Sequence, residues 1–306
     1  MVSTKNRQMA QERARKAARS QARRKRLAIG AVAIVLLGLG VLVAIKLTGG
    51  GSGTSSTATP TSSATVGSDA SALAPTALAA LTGVPANVLD QVGAGAVSNP
   101  PKAISGQPVL SEGGKPLILY VGAEYCPYCA GQRWAMVVAL SRFGTFSTLR
   151  QTTSSSSDVF PDTATVTFSG ARYTSQYLEF QGVETHTRIK QGDGYTPLDT
   201  LTEPQQLLLK TLNAPPYVPE NAAGSIPFIN FANQAIMSGA SYTPEVLAGQ
   251  TAEQIAAALS DPASPVAKAV VGTANAFTTV LCSITQDQPA TVCTSPAANA
   301  YRANFE

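Results

Sequence analysis

Leu117-Ile118-Leu119-Tyr120-Val121-Gly122-Ala123-Glu124-Tyr125-Cys126-Pro127-Tyr128-Cys129 is the stretch that decides how the chain is read. A run of strand-forming apolar residues stops at two cysteines with two residues between them. The segment that follows, Ala130 to Leu140, spaces its large apolar residues mostly three or four apart, as a helix does. Strand, Cys-x-x-Cys, helix is an order that puts Cys126 at or just before a helix N-terminus. Unpaired backbone N–H groups and the helix dipole favour a thiolate there. The expectation is a redox-active dithiol.

Working upstream, Gln107–Leu110 and Leu117–Val121 read as two strands around the turn Glu112-Gly113-Gly114-Lys115. Residues 48–84 are mostly Gly, Ser, Thr, Ala and Pro, with a single charge, Asp69. Too little apolar bulk is present to offset ordering entropy, so a flexible tether with a reach of roughly 35 Å is expected. Before it, Leu27 to Leu47 carries one charge, Lys46, over twenty-one residues, enough to span a hydrocarbon core. Residues 1–26 hold ten Lys or Arg against one acid, Glu12. The positive-inside rule then puts this basic tail in the cytoplasm and the body, residues 85–306, outside the cell membrane as a single-pass protein. A cleaved signal peptide would have a shorter apolar run and a small-residue cleavage site, and Thr48-Gly49-Gly50-Gly51 offers none. The chain is +4 overall, but its positive charge lies in the tail and the remainder is net acidic, so nothing implies nucleic-acid binding by the body.

Downstream, the dithiol helix is expected to end near Phe143-Gly144, with the glycine at C′. Phe146–Thr152, Thr165–Phe168 and Tyr177–Phe180 read as strands, and Ser154–Asp158 as a loop. Residues 182–224 are polar and Pro-rich with one helix, Glu203 to Leu212, and read as an insertion. Ser225-Ile226-Pro227-Phe228-Ile229-Asn230-Phe231 and the run after Asn233 form a hairpin pattern with a proline at its head. Thr243-Pro244 and the capping box Thr251–Gln254 start helices, and Ser264-Pro265 opens another running towards Cys282. The expected class is α/β.

Zinc needs four ligands, and the chain holds four cysteines and one histidine, His186. Cys282 and Cys293 are eleven apart, unlike a zinc knuckle, so no metal site is expected, and His186 reads as a surface residue. A purely structural Cys126–Cys129 disulfide would be strained and reducible, a poor staple. Cys126 is therefore assigned as the sulfur that forms a mixed disulfide and Cys129 as the one that resolves it, with no cofactor beyond the dithiol. Glu124 either relays a proton to Cys129 or, more ordinarily, faces water. Arg133, on the helical face of both cysteines, either favours a thiolate or, more ordinarily, is solvated. Trp134 reads as packing. Cys282 and Cys293 are expected to pair in an oxidising compartment, as a staple around Asp287-Gln288-Pro289 or as a second dithiol relaying electrons.

Cys126-Pro127-Tyr128-Cys129 after a strand, with Ile226-Pro227 heading a later hairpin and helix, resembles the thioredoxin superfamily. That resemblance implies a thioredoxin-like fold, a cis Pro227 packed against the dithiol, and Tyr125 covering it where thioredoxins have a tryptophan. The Pro127-Tyr128 pair is similar to the glutaredoxin version. Gly122 to Cys129 together with Thr251 to Cys282, including Gly272-Thr273-Ala274-Asn275, resembles more closely a bacterial membrane-anchored family of unknown function described as a probable thiol–disulfide isomerase. The implied activity is thiol–disulfide exchange or isomerisation on exported proteins, with a membrane redox partner. The other reading is a thioredoxin-fold binding or chaperone module with a non-catalytic disulfide.

Overall fold

The computed structural model of the chain describes residues 68–304. In chain order they form β1 (Ser71–Ala72), α1 (Pro75–Thr82), α2 (Ala86–Val92), β2 (Lys102–Ala103), β3 (Ser111–Glu112), β4 (Lys115–Gly122), α3 (Pro127–Leu140), β5 (Gly144–Thr153) and β6 (Ala164–Ser175). There follow β7 (Glu179–Glu184), β8 (His186–Gln191), β9 (Gly194–Pro197), α4 (Glu203–Leu212), β10 (Phe228–Phe231), β11 (Ala235–Ser238), α5 (Ala252–Ala258), α6 (Pro265–Ile284), α7 (Ala290–Cys293) and α8 (Pro296–Asn299). The class is mixed α/β.

The unbroken apolar run of β4 reflects burial on both faces. Ile118 and Tyr120 join the main core with Trp134 of α3 and Phe277 of α6, while Leu119 and Val121 pack towards Leu208 and Leu209 of α4. Its two edges are taken as well. Tyr120 stands opposite Ile229 of antiparallel β10 and opposite Gly182 of parallel β7. Beyond β10 the sheet continues through β11 to β2. A parallel pair needs a long crossover, and α3, β5 and β6 fill the one between β4 and β7. β1, β5 and β6 make a second, antiparallel sheet, and β8 and β9 a separate hairpin.

Helix α6 packs along α3, and small residues let the chain come close. A Cβ on Gly272 would lie 2.8 Å from Cα of Gly95, itself at φ +58°. Asn275 Nδ2 donates to the carbonyls of Leu89 and Gly93, both at 2.8 Å, closing the C-terminal end of α2. The stretch Gly272–Asn275 therefore builds the scaffold.

Several sequence expectations need correction. The tether does not extend to residue 84: Ser71–Ala72 pairs with β5, and Leu73, Ala77 and Leu81 are buried in the main core. The alanine-rich composition of 73–81 hid an amphipathic turn whose few large residues all face inward. Gln107–Leu110 is not a strand; only Ser111–Glu112 pairs with β4, across Gly113 and Gly114, both at positive φ. Gly144 is not a C′ residue, because α3 ends at Leu140 with Ser141 as cap and Gly144 starts β5. The insertion does not begin at 182: Gly182–Glu184 completes β7 against β4. Gly182 is needed there, since a Cβ would lie 2.5 Å from Cβ of Phe168.

Other boundaries hold: α4 spans Glu203–Leu212 with a Thr202–Gln205 capping box, and α5 follows the Thr251–Gln254 box. Tail 1–26, span 27–47 and the tether up to residue 67 lie outside the described residues. Among the described residues, α6 is long and apolar enough to cross a membrane; it is largely buried inside the fold as a core helix.

Candidate functional site

Cys126 is the N-cap of α3, extended at φ −79° and ψ 120°, with Pro127 at the first helical position, where proline's missing N–H is no loss. The Cys129 backbone N–H donates to Cys126 Sγ at 3.3 Å, so the sulfur occupies the place an Asp or Ser oxygen takes in an ordinary cap. Both cysteines are free thiols. Cys126 retains 6% exposure, while Cys129 has none. The more exposed sulfur is the one expected to attack.

The thiols are electrostatically split. Hydrogen bonding from the Cys129 thiol, the Cys129 and Tyr128 backbone N–H groups and the Arg133 charge together hold Cys126 below the usual thiol range, against the opposing effect of burial. Burial pushes Cys129 well up, and its hydrogen bond to Cys126 adds to this. A nucleophile that ionises first and a resolving thiol that keeps its proton is the division that two-step exchange requires.

The dithiol loop is pinned from three sides. The Glu124 N–H donates to the His186 carbonyl and the Thr185 N–H to the Gly122 carbonyl, which continues the β4–β7 ladder past the strand ends. The Ser155 N–H donates to the Tyr125 carbonyl from the loop between β5 and β6. The Ile226–Pro227 peptide is cis, as the sequence resemblance implies, and the Ile226 carbonyl lies 4.0 Å from Cys126 Sγ. α3 itself is held by the Tyr242 hydroxyl on the Gly131 carbonyl (2.6 Å), the Thr165 hydroxyl on the Ala130 carbonyl (2.8 Å) and Trp134 Nε1 on the Ala164 carbonyl (3.0 Å).

Aromatic rings flank the sulfurs. Tyr125 stacks on Tyr195 with centroids 4.1 Å apart and meets the His186 ring edge-on at 6.2 Å. Lys190 Nζ caps Tyr195 at 5.6 Å. On the other side Tyr128, 40% exposed, meets Phe160 edge-on, and Val159 beside it is exposed. His186 is thus half-buried against Tyr125, with Nδ1 3.1 Å from the Thr185 hydroxyl, rather than a free surface residue.

Glu124 does not face water. It is fully buried, and Ser68 Oγ lies 2.7 and 2.9 Å from its two carboxylate oxygens. Arg133 is not solvated either. It is fully buried, with Nε and Nη2 donating to the two oxygens of Glu184 at 2.7 Å each and Nη2 also to the Ala123 carbonyl at 2.7 Å. Burial acts to lower the Arg133 pKa, but Glu184 and its other neighbours outweigh it and hold the guanidinium well above its usual range. Burial pushes the Glu184 carboxyl up, against the pull of Arg133. Sequence reading missed Glu184. An acid that ends the otherwise apolar strand end Gly182-Val183 was the available signal, since a buried carboxylate needs a buried cation.

Cys282 and Cys293 are joined to each other, with Cα atoms 5.5 Å apart, between the end of α6 and α7. Both are buried. Among the described residues no group of three or more His, Cys, Asp or Glu side chains is arranged to hold a metal ion. A cleft of about 400 Å³ lined by Asp69, Arg188, Asp162 and Thr251 includes neither Cys126 nor Cys129.

No curated protein and no solved structure matches the chain. Residues 102–283, which run from β2 through the dithiol to the end of α6, match the family described as Domain of unknown function (DUF929). That match covers more than half of the 306 residues, and the chain belongs to this family.

Proposed function

We propose that the chain is a thiol–disulfide oxidoreductase of thioredoxin-like build, held outside the membrane by residues 27–47 and acting on disulfides of exported proteins. The observation that carries this reading is the Cys126 sulfur at the N-cap of α3, receiving the Cys129 N–H and ionising before its buried partner. The thioredoxin-like part is supported by element order: β4, dithiol helix α3, parallel β7, then the antiparallel hairpin β10–β11 and a packed helix.

In the reducing direction, the Cys126 thiolate attacks one sulfur of a substrate disulfide. A bond forms between Cys126 Sγ and that sulfur, and the other substrate sulfur leaves as a thiolate that takes a proton from solvent. Cys129 then loses its proton, attacks Cys126 Sγ and expels the second substrate thiolate. The substrate gains two electrons and the pair is left as Cys126–Cys129 disulfide. Oxidation of a substrate dithiol is the same sequence reversed, and isomerisation stops at the mixed disulfide until a substrate thiol resolves it.

The substrate class follows from the surroundings. Tyr125 and Tyr128, which flank Cys126 at one and two residues, carry the Tyr125–Tyr195 and Tyr128–Phe160 ring pairs, and the cysteines do not line the cleft of Asp69 and Arg188. The exposed Tyr128 ring and the half-buried rings beside it suit the apolar side chains of an incompletely folded polypeptide. The experiment is Cys129→Ser in intact cells, which removes the resolving thiol. Mixed disulfides through Cys126 with exported proteins are expected. A normally folded variant with no trapped partner would instead favour the binding or chaperone module.

A further inference from the structure

The buried Arg133–Glu184 pair has no part in the exchange steps above. Buried ion pairs are often no more stabilising than well-packed apolar residues of similar volume, so a position beside a dithiol invites another reason. Arg133 lies one helical turn after Cys129, a spacing that brings side chains together on one helix face. Its Nη2 reaches the Ala123 carbonyl, three residues before Cys126. Its Nη1 is buried with no hydrogen-bond partner among the described residues. The guanidinium lies 6.0 Å over the ring of Tyr120, whose hydroxyl is likewise buried and unpartnered. A cation with an unused donor is therefore fixed in a water-poor site at the foot of the dithiol.

We infer that Arg133 is a positioning residue whose fixed charge stabilises the thiolate of the reduced dithiol, and that Glu184 sets how much of that charge the sulfurs feel. This rests on the oxidoreductase reading. Charge acts strongly there because the surroundings are dry. Reduction of the Cys126–Cys129 disulfide adds two electrons and one proton, leaving Cys129 as a thiol and Cys126 as a thiolate, a new negative charge near Arg133 that the disulfide lacks. Arg133 thus favours the reduced form and makes the disulfide more oxidising. Glu184 opposes it by occupying Nε and Nη2. The other ionisable groups near this centre are Glu124 from the β4–α3 turn, Tyr120 from β4, Asp199, whose Oδ2 accepts the Glu184 N–H, and, on the outer side, Tyr125 with His186 and Asp158 beside it. Burial raises the Tyr120 hydroxyl well above its usual range, so it remains neutral.

The prediction is one of opposite signs, which a merely structural role would not produce. Glu184→Gln in the full chain retains the carboxamide oxygen for Arg133 and removes the opposing charge. Its dithiol–disulfide equilibrium against glutathione should move about tenfold towards the dithiol, roughly 30 mV for a two-electron couple. The pH profile of Cys126 alkylation, read by mass spectrometry, should move to lower pH. Arg133→Met should move both the other way, with Arg133→Lys in between. Should Arg133→Met fail to fold, Glu184→Gln decides the matter. An equilibrium within twofold of the parent chain, or a shift towards the disulfide, overturns the inference. Failure of the parent dithiol to exchange with glutathione at all would instead sink the oxidoreductase reading, and the Cys126 alkylation profile would still test the charge effect.

Discussion

The chain carries two cysteine pairs that differ in almost every physical respect. Cys282 and Cys293, eleven apart, close the turn between α6 and α7 and are bonded and buried. Cys126 and Cys129 open a fourteen-residue helix, are unbonded, and have a backbone N–H and a buried cation beside them. The first pair lies at a helix C-terminus, the negative end of the dipole, and the second at an N-terminus, the positive end. A sulfur at the positive end is stabilised as a thiolate, while one at the negative end receives no such help. We propose that Cys282–Cys293 is a staple, since it is already bonded and lies at a helix C-terminus with no helix-start N–H to favour a thiolate.

The strongest way to break this contrast is to disable each pair in turn. Cys126→Ser should abolish disulfide exchange, a loss on the order of a thousandfold or more, because a hydroxyl at neutral pH supplies no comparable nucleophile. Exchange measured with a small aromatic disulfide reads this directly, and persistence of more than a tenth of the rate would assign the chemistry elsewhere.

The complementary change is Cys282→Ala with Cys293→Ala. Closing a loop of this length contributes about 2–3 kcal/mol, so urea titration of the double variant should give an unfolding free energy lower by that amount. Its exchange rate should stay within about twofold of the parent. A large fall in exchange with little loss of stability would restore a relay role to this pair.

The smallest effect is a pH dependence, and its sign follows from the depressed Cys126 value. The reduced fold gains stability from the thiolate in full above the pKa of an unfolded cysteine, about 8.5. That gain is lost as pH falls through the lower folded-state value. Reduced parent protein should therefore lose stability on acidification across this window, and reduced Cys126→Ser should not. Parallel urea titrations of the two proteins across pH check it, and identical slopes would remove the claimed thiolate.

Legibility follows the same division between local and distant. The dithiol, its strand and its helix were readable because an apolar run, a Pro at the first helical position and a three-to-four spacing are properties of neighbouring residues. The caps at Thr202 and Thr251 were readable for the same reason. Misreadings occurred where composition spoke against packing. Residues 73–82 look like tether, yet Leu73, Ala77 and Leu81 fill the core. Glu124 and Arg133 look like surface residues because charge usually lies outside, and only a partner in space overrides that rule.

By itself, the sequence determined the chemistry on offer: a thiol pair at a helix start, spaced for exchange, behind a basic tail and an apolar span. The tertiary structure alone decided the electrostatic setting of that pair. Arg133 and Glu184 are 51 residues apart, and Ser68 and Glu124 are 56 apart, so no periodicity connects them. Arg133 and Glu184 meet because β7 pairs in parallel with β4 and carries its last residue under α3, a juxtaposition that exists only once the crossover is folded.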